Sequence, residues 1–537
     1  MKLKYTSLIV LFAGMLFSSC KKEKTVFEDP YGGGRAPLGI VTNAQQLPSP
    51  SIGEPGTLVT ITASGLKEHE KSLTFFFNGQ QAEIKSVTDK SITVVVPEKA
   101  SSGVTSFVVD GQLVFGPRFR VSGKAAVDFT FTAFNGTNGA VNKAVPGPDG
   151  TLYLLGNFTS YNNSGSVRPT NRIVRISPNG SWDRSYAAGN ASNGQLFGMV
   201  TLNGWNYIAG DFSGYQQRGD ISRITRISTG GAIDTTSVLT YTQKIKYIPK
   251  FNGGVSGTIR SLYTFNGKLI ASGDFNYYVS RRYDINSYKY QDSTALDSVE
   301  VRQLVRFNED GTLDRTWRFD ENAVGYKGQK GKSWAGGTGR TSTLMHADGK
   351  ILCYGQFTRF DDVAAGYITR LNPDGTKDNS FNPGTGASDY IFSANYNVKL
   401  KKYVLAGRFK SFNGKPAAGV VVLNEDGSVD ESFKVGSIEG GLAYYAKQLD
   451  DGLIVVSGDF KSYDKVARVG FLITDGTGAL AQGYNNLGNV TGSAHKINDI
   501  YETQSADGRR ALLIMGDFNR FDDQQLYYNL VRITLLN

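Results

Sequence analysis

One phrase recurs seven times in this chain: Gly, a polar residue, Phe, two variable residues and an aromatic. It reads GNFTSY from Gly156, GDFSGY from Gly210, GDFNYY from Gly273 and GQFTRF from Gly355. It returns as GRFKSF from Gly407, GDFKSY from Gly458 and GDFNRF from Gly516. Copies 51 to 82 residues apart mean one supersecondary unit repeated as a stacked or radial array. With 64 glycines and 12% aromatics, the composition suits many short strands joined by tight turns.

Each phrase is followed by a loop, then a strand ending in a turn and an Asp. Clear copies run from Arg175 through Gly180 to Asp183, Arg306 through Gly311 to Asp314, and Arg370 through Gly375 to Asp378. Each repeat reads as four strands, and four-stranded sheets repeated radially make a β-propeller. The last copy stops at its third strand, Asn529 to Thr534, while an orphan Asp128-Phe-Thr-Phe131 precedes the first. The expected fold is therefore all-β: a seven-bladed β-propeller over 127–537, closed by an N-terminal strand that completes the last blade. The recurring Arg175, Arg226, Arg306, Arg370 and Arg532 share one strand position and are expected to bond repeat carboxylates or carbonyls between blades.

Upstream, residues 1–19 read as a signal peptide, with Lys2 and Lys4 before the apolar stretch Leu8 to Phe17. Ser18-Ser19-Cys20 resembles a bacterial lipobox, with Phe17 where the common pattern has Leu, which implies lipidation of Cys20 and a stable membrane anchor. No later segment approaches the ~20 apolar residues of a membrane helix. Residues 20–35 read as a tether. Over 36–122, short alternating strands are punctuated by turns about every ten residues, the pattern of a β-sandwich. The Gly53-x-x-Gly56-Thr-x-Val-Thr-Ile opening, Phe77-Asn-Gly79 and Ser91-Ile-Thr-Val-x-Val-Pro97 resemble the IPT/TIG immunoglobulin-like family. The R-L-N-P-D-G-x-x-D-x-S-F string with its upstream G-x-F resembles the delta-60 repeat of bacterial surface proteins.

Catalytic signatures are nearly absent. His69, His346 and His495 are isolated, without metal-ligand spacing. Cys353, in an apolar strand, reads as a buried small hydrophobe. The acid pairs Asp361-Asp362 and Asp522-Asp523 would suit glycoside hydrolysis, yet both follow the phrase directly, so repeat register accounts for them. The formal charge of +10 is spread along the chain and does not form a nucleic-acid stripe. No catalytic residue, cofactor, metal or nucleic-acid partner is expected.

Asymmetry is more telling. The 82-residue interval between Gly273 and Gly355 carries insertions at 276–301 and 321–340, and a third, 243–257, precedes it. In an up-and-down unit these loops emerge on one face, while the other face carries tight Asn-Gly and Asp-Gly turns. Loops dense in Tyr, Arg and Trp suit recognition. The candidate ligand- or partner-binding residues are Tyr247, Tyr277, Tyr278, Arg281, Arg282, Tyr283, Tyr288, Tyr290, Tyr326 and Trp334.

Lipobox, IPT/TIG module and delta-60 repeats together resemble accessory lipoproteins of Bacteroidetes-type nutrient-uptake systems. The resemblance implies an outer-membrane lipoprotein facing the cell exterior, partnered by a TonB-dependent transporter and its lid lipoprotein, with a glycan or peptide as ligand. Two other readings stay open: an adhesion or structural scaffold, and a propeller glycoside hydrolase or lyase.

Overall fold

The computed structural model describes residues 36–165, 167–286, 294–492, 496–525 and 528–536. The N-terminal strands form one continuous half-barrel sheet of eight strands. Their order is Val41–Thr42, Leu58–Ser64, Ser91–Val95, Gln80–Val87, Leu73–Phe77, Gly103–Val109, Gln112–Val121 and Ile52–Gly53. Where the sequence suggested two separate sheets, pairing is continuous through Gln80–Val87. The first half of that strand pairs with Leu73–Phe77 and its second half with Ser91–Val95. Alternating inward residues, among them Val59, Ile61, Phe75, Phe77, Ile92, Val94 and Phe107, close one apolar core.

Seven antiparallel units follow, six of three strands and the last of four, each holding one copy of the phrase. Their first strands are Val141–Pro146, Gln195–Leu202, Thr258–Phe265, Thr341–Met345, Ile391–Asn397, Ala443–Gln448 and Lys496–Gln504. Each unit packs on the next and the seventh packs on the first, so the units run round a closed circuit with first strands facing one another. The apolar clusters lie between neighbours. Leu155, Ile173 and Tyr186 of the first unit meet Leu196, Ile208 and Ile227 of the second. Leu513, Met515 and Leu530 of the seventh meet Val141, Leu154 and Val174 of the first.

The phrase is explained by packing. Its Phe is buried in every copy, from Phe158 to Phe518. Its Gly stands at the end of the second strand or one residue before it, where a Cβ would fall 1.8 to 2.2 Å from a carbonyl oxygen at the leading end of the first strand in all seven copies. In six units the first strand slips register at that point through a β-bulge, which presses its backbone onto the glycine. The closing aromatic is buried, and where it is Tyr its hydroxyl donates to the turn glycine after the third strand: Tyr161 to Gly180, Tyr215 to Gly231, Tyr278 to Gly311 and Tyr463 to Gly478.

The expected fourth strand is not a strand. After the third strand the chain makes a single bridge, as between Ile176 and Trp182, and then leaves the sheet. The Asp-x-Ser segment turns on itself instead, Asp183 Oδ1 accepting from the backbone N–H and hydroxyl of Ser185. Arg175 bonds Asp183 at 2.7 Å, Arg226 bonds Asp234 at 2.9 Å, Arg306 bonds Asp314 at 2.9 Å and Arg370 bonds Asp378 at 2.7 Å. In the last unit Arg532 bonds Asp128 at 2.6 Å, joining residues 404 positions apart. The closing strand is Ala125–Val127, paired with Leu530–Leu535, just upstream of the segment expected from sequence.

No free hinge separates the half-barrel from the ring. Ser102 N–H and Oγ donate to Asn486 O at 2.8 Å, Lys124 N–H donates to Gly483 O, and Asn486 Nδ2 reaches Ala125 O. Arg468, buried where equivalent hairpins carry Ala365 and Ala417, donates to Lys99 O at 3.0 Å.

Arg532 and Asp128 side chains are only 3% and 4% exposed. Asp128→Ala leaves a buried guanidinium unpaired and is expected to cost about 3–5 kcal/mol, seen as a clearly lowered thermal unfolding midpoint. Removing Glu83 from its exposed pair with Lys85 should cost about 0–1 kcal/mol. Gly407→Ala, which drives a Cβ to 2.2 Å from Tyr390 O, should lower the midpoint strongly, whereas Gly219→Ala, with open space around it and no positive φ, should lower it far less.

Candidate binding face

The three insertions fold as hairpins. Thr235–Leu239 pairs with Ile245–Pro249; Tyr277–Asn286 pairs with Thr294–Glu300 and with Gly254–Val255; Phe319–Val324 pairs with Lys330–Ser333. They touch in sequence. Tyr241 N–H donates to Tyr283 O at 2.8 Å, and Lys246 Nζ lies 5.5 Å from the centre of the Tyr283 ring. Tyr277 and Tyr326 meet edge to face at 5.5 Å. All rise from the end of the ring where the phrases finish. The opposite end carries tight turns such as Asn203-Gly204 and Asn266-Gly267, each with two positive φ angles.

The predicted residues divide in two. Tyr278 and Tyr283 are each 6% exposed. Tyr278 is the phrase's own closing aromatic and bonds Gly311 O, a role its register in the repeat already marks. Tyr283 donates to Asp220 Oδ2 at 3.2 Å, and burial beside that carboxylate pushes its pKa well up. Both hold the insertion to the ring and are withdrawn from recognition. Arg281 is half-buried, its Nε donating to Asp220 O. Arg282 is engaged by Asp284 and Asp297, which raise its pKa. Tyr247 and Tyr326 stand 65% and 52% exposed, and Trp334 lies under Arg318 with one face open. Tyr288 and Tyr290 lie outside the described residues. The same hairpins expose Leu239, Ile245, Ile285, Leu296 and Val324, which sequence reasoning did not single out. Leu239 lies opposite Ile245, and Tyr247 opposite Ser237, so Leu239, Ile245 and Tyr247 share one outward face.

A second group was missed altogether. The six bulges each add one residue near the start of a first strand: Asn142, Phe197, Arg260, Phe392, Tyr444 and Asn498. All are half-buried, and they pair between neighbouring units. Arg260 lies over Phe197 at 5.3 Å, Phe392 packs on Tyr444 at 5.3 Å, and Asn498 Nδ2 donates to Asn142 Oδ1 at 3.4 Å. The result is a band of side chains round the axis, at the same end as the insertions. Its signal in sequence is faint, because a bulge depends on the facing strand.

Two family models match parts of the chain. Residues 147–186, 346–381 and 401–433 match the family model described as a domain of unknown function (DUF5122) beta-propeller. Residues 16–117 match a domain of unknown function (DUF5008). No curated protein matches the chain. An auxiliary nutrient binding protein from Bacteroides thetaiotaomicron is 12% identical over 92% of this chain and 98% of its own, with a TM-score of 0.34. One from Bacteroides ovatus is 12% identical over the same shares, with a TM-score of 0.28. The WD40 β-propeller domain of Doa1 is 13% identical over 74% of this chain and 93% of its own, at 0.35.

The acid pairs prove to be turn chemistry. Asp361-Asp362 and Asp522-Asp523 occupy two-residue hairpin turns with φ between 48° and 61°, and Asn162-Asn163, Asn413-Gly414 and Asp464-Lys465 at the same repeat position have φ between 46° and 75°. The first residue's carboxylate pins the incoming loop: Asp361 accepts from Gly336 N–H at 2.8 Å and Asp522 from Gly488 N–H at 2.6 Å. Cys353 is fully buried and its thiol pKa is pushed up to about 12.

Tyr278→Phe, which strips the bond to Gly311, should cost about 1 kcal/mol of stability in chemical unfolding. Tyr326→Ala, at an exposed turn, should leave stability within about 0.5 kcal/mol of the parent.

Proposed function

We propose that the protein is a non-catalytic, lipid-anchored accessory binding subunit of an outer-membrane nutrient-uptake system. Cys20 carries the anchor and holds the protein on the cell exterior. The N-terminal half-barrel, which we read as an immunoglobulin-like module, is a spacer, and the seven units are the blades of a propeller used as a platform. Its insertion-bearing face captures a glycan or peptide, or docks on a TonB-dependent transporter and its lid lipoprotein.

One observation carries this reading. Among the described residues of the repeat region, eight of the fourteen exposed large apolar side chains lie on the three hairpins. They are Leu239, Ile245, Tyr247, Ile285, Leu296, Val324, Tyr326 and Trp334. A contiguous exposed apolar surface rimmed by polar groups is the physical mark of an interaction site. Arg282, Asp284 and Asp297 supply the charged rim on the central hairpin.

The test is purification of the intact protein from its native outer membrane in mild detergent, with copurifying proteins identified by mass spectrometry. A transporter and lid protein are expected in fixed ratio, and Tyr247→Asp with Tyr326→Asp should lower their recovery. Recovery of the protein alone would remove the transporter role and leave an independent ligand binder or adhesin. Cys20→Ser should release the protein from the membrane fraction; retention there would remove the lipid anchor.

A further inference from the structure

The insertions leave the axis of the ring unexplained, and there the least repetitive side chains converge. Arg260 and Arg340, from the third and fourth units, meet on one carboxylate, and Lys496, from the seventh, lies within electrostatic reach of both. Asp274 binds both arginines, Arg260 Nη2 at 2.7 Å and Arg340 Nε at 3.3 Å. Lys496 begins the first strand of the seventh unit, opposite Asp517. It keeps contact with solvent, but crowding by protein and repulsion from Arg260 and Arg340 draw its pKa below the usual lysine value, against the opposite pull of Asp517. An anion placed among the three cations would relieve that repulsion.

Between Arg340 and Lys496 in the order of units stand Phe392 and Tyr444, half-buried and packed on each other. Tyr444 is also oriented by a hydrogen bond from its hydroxyl to Asp459 Oδ2 at 3.1 Å. Beside Phe392 in the same bulge, Ser393 Oγ is buried with no hydrogen-bond partner. Deeper in the ring, Asp499 receives a hydrogen bond from Tyr445 at 3.4 Å and feels Lys143 and Lys447.

A cationic side, an aromatic platform and amide groups at one level match a particular chemistry. We propose that the mouth of the ring binds an acidic saccharide, its carboxylate held by Lys496 with Arg260 and Arg340, and the apolar face of one sugar ring lying on Phe392 and Tyr444. Aromatic faces accept the C–H face of a sugar, charge-assisted donors fix the anion, and Asn142 and Asn498 offer hydroxyl partners. This inference takes from the proposed function only that the insertion-bearing end is the working face. It holds whether or not the hairpins dock a partner.

The experiment is calorimetric titration of the full-length chain in detergent with trigalacturonate, with neutral galactotriose and with sodium sulfate. Trigalacturonate is expected to bind at least ~10-fold more tightly than galactotriose, the size of one charge-assisted contact. Lys496→Ala, at an unchanged unfolding midpoint, and Tyr444→Ala, in protein shown to be folded at the titration temperature, should each weaken trigalacturonate by ~10-fold or more, while Lys496→Arg and Tyr326→Ala should not. Equal affinity for the acidic and neutral sugars, no binding of either, or equal binding of sulfate would overturn the proposal, as would Lys496→Ala and Tyr444→Ala variants that bind normally. Failure here leaves the copurification result standing, and loss of copurification leaves this titration standing.

Discussion

Everything in this ring depends on the fact that no unit can cover its own sheet. Three short strands have two apolar faces, and each face needs a neighbour. The buried clusters accordingly lie between units, as where Val404 and Val422 of the fifth meet Val456 and Leu472 of the sixth. Such an array has exposed ends unless it closes. Closure supplies the last interface, and the residues that secure it, Asp128 with Arg532 and Ala125–Val127 with Leu530–Leu535, bring together the two ends of the repeat region.

The same economy explains what varies. Each phrase residue is fixed by a contact inside the unit: Gly against a carbonyl, Phe in the core, Tyr on the turn glycine. The bulge that demands the glycine also turns one extra residue toward the axis, and that residue is free to differ from unit to unit. Asn142, Phe197, Arg260, Phe392, Tyr444 and Asn498 show how fully the freedom is used. Constraint and variability are thus neighbours in one strand. The half-barrel adds a fixed mount, since Ser102, Lys124 and Arg468 tie it to the loops of the sixth unit.

Much of this was legible in the chain because it is local or periodic. Repeat number, the Arg–Asp bonds, the acid pairs as repeat features and the closing partner of Arg532 all follow from register. Two kinds of feature were not legible. The Asp-x-Ser segment reads as strand by its alternation, but hydrogen bonds from Ser185 to Asp183 turn it away from the sheet. Tyr283 reads as a surface aromatic, but Asp220 and Lys246 from a different unit enclose it.

The sequence by itself determined that the chain is an all-β array of seven copies joined through its ends, because glycine sterics, turn chemistry and apolar spacing act within a few residues. Only the tertiary structure decided which aromatics are open and which are buried, and that Arg260 and Arg340 meet on Asp274 with Lys496 in electrostatic reach. Those outcomes depend on strands that face one another across the ring, at separations of up to 236 residues that no local pattern records.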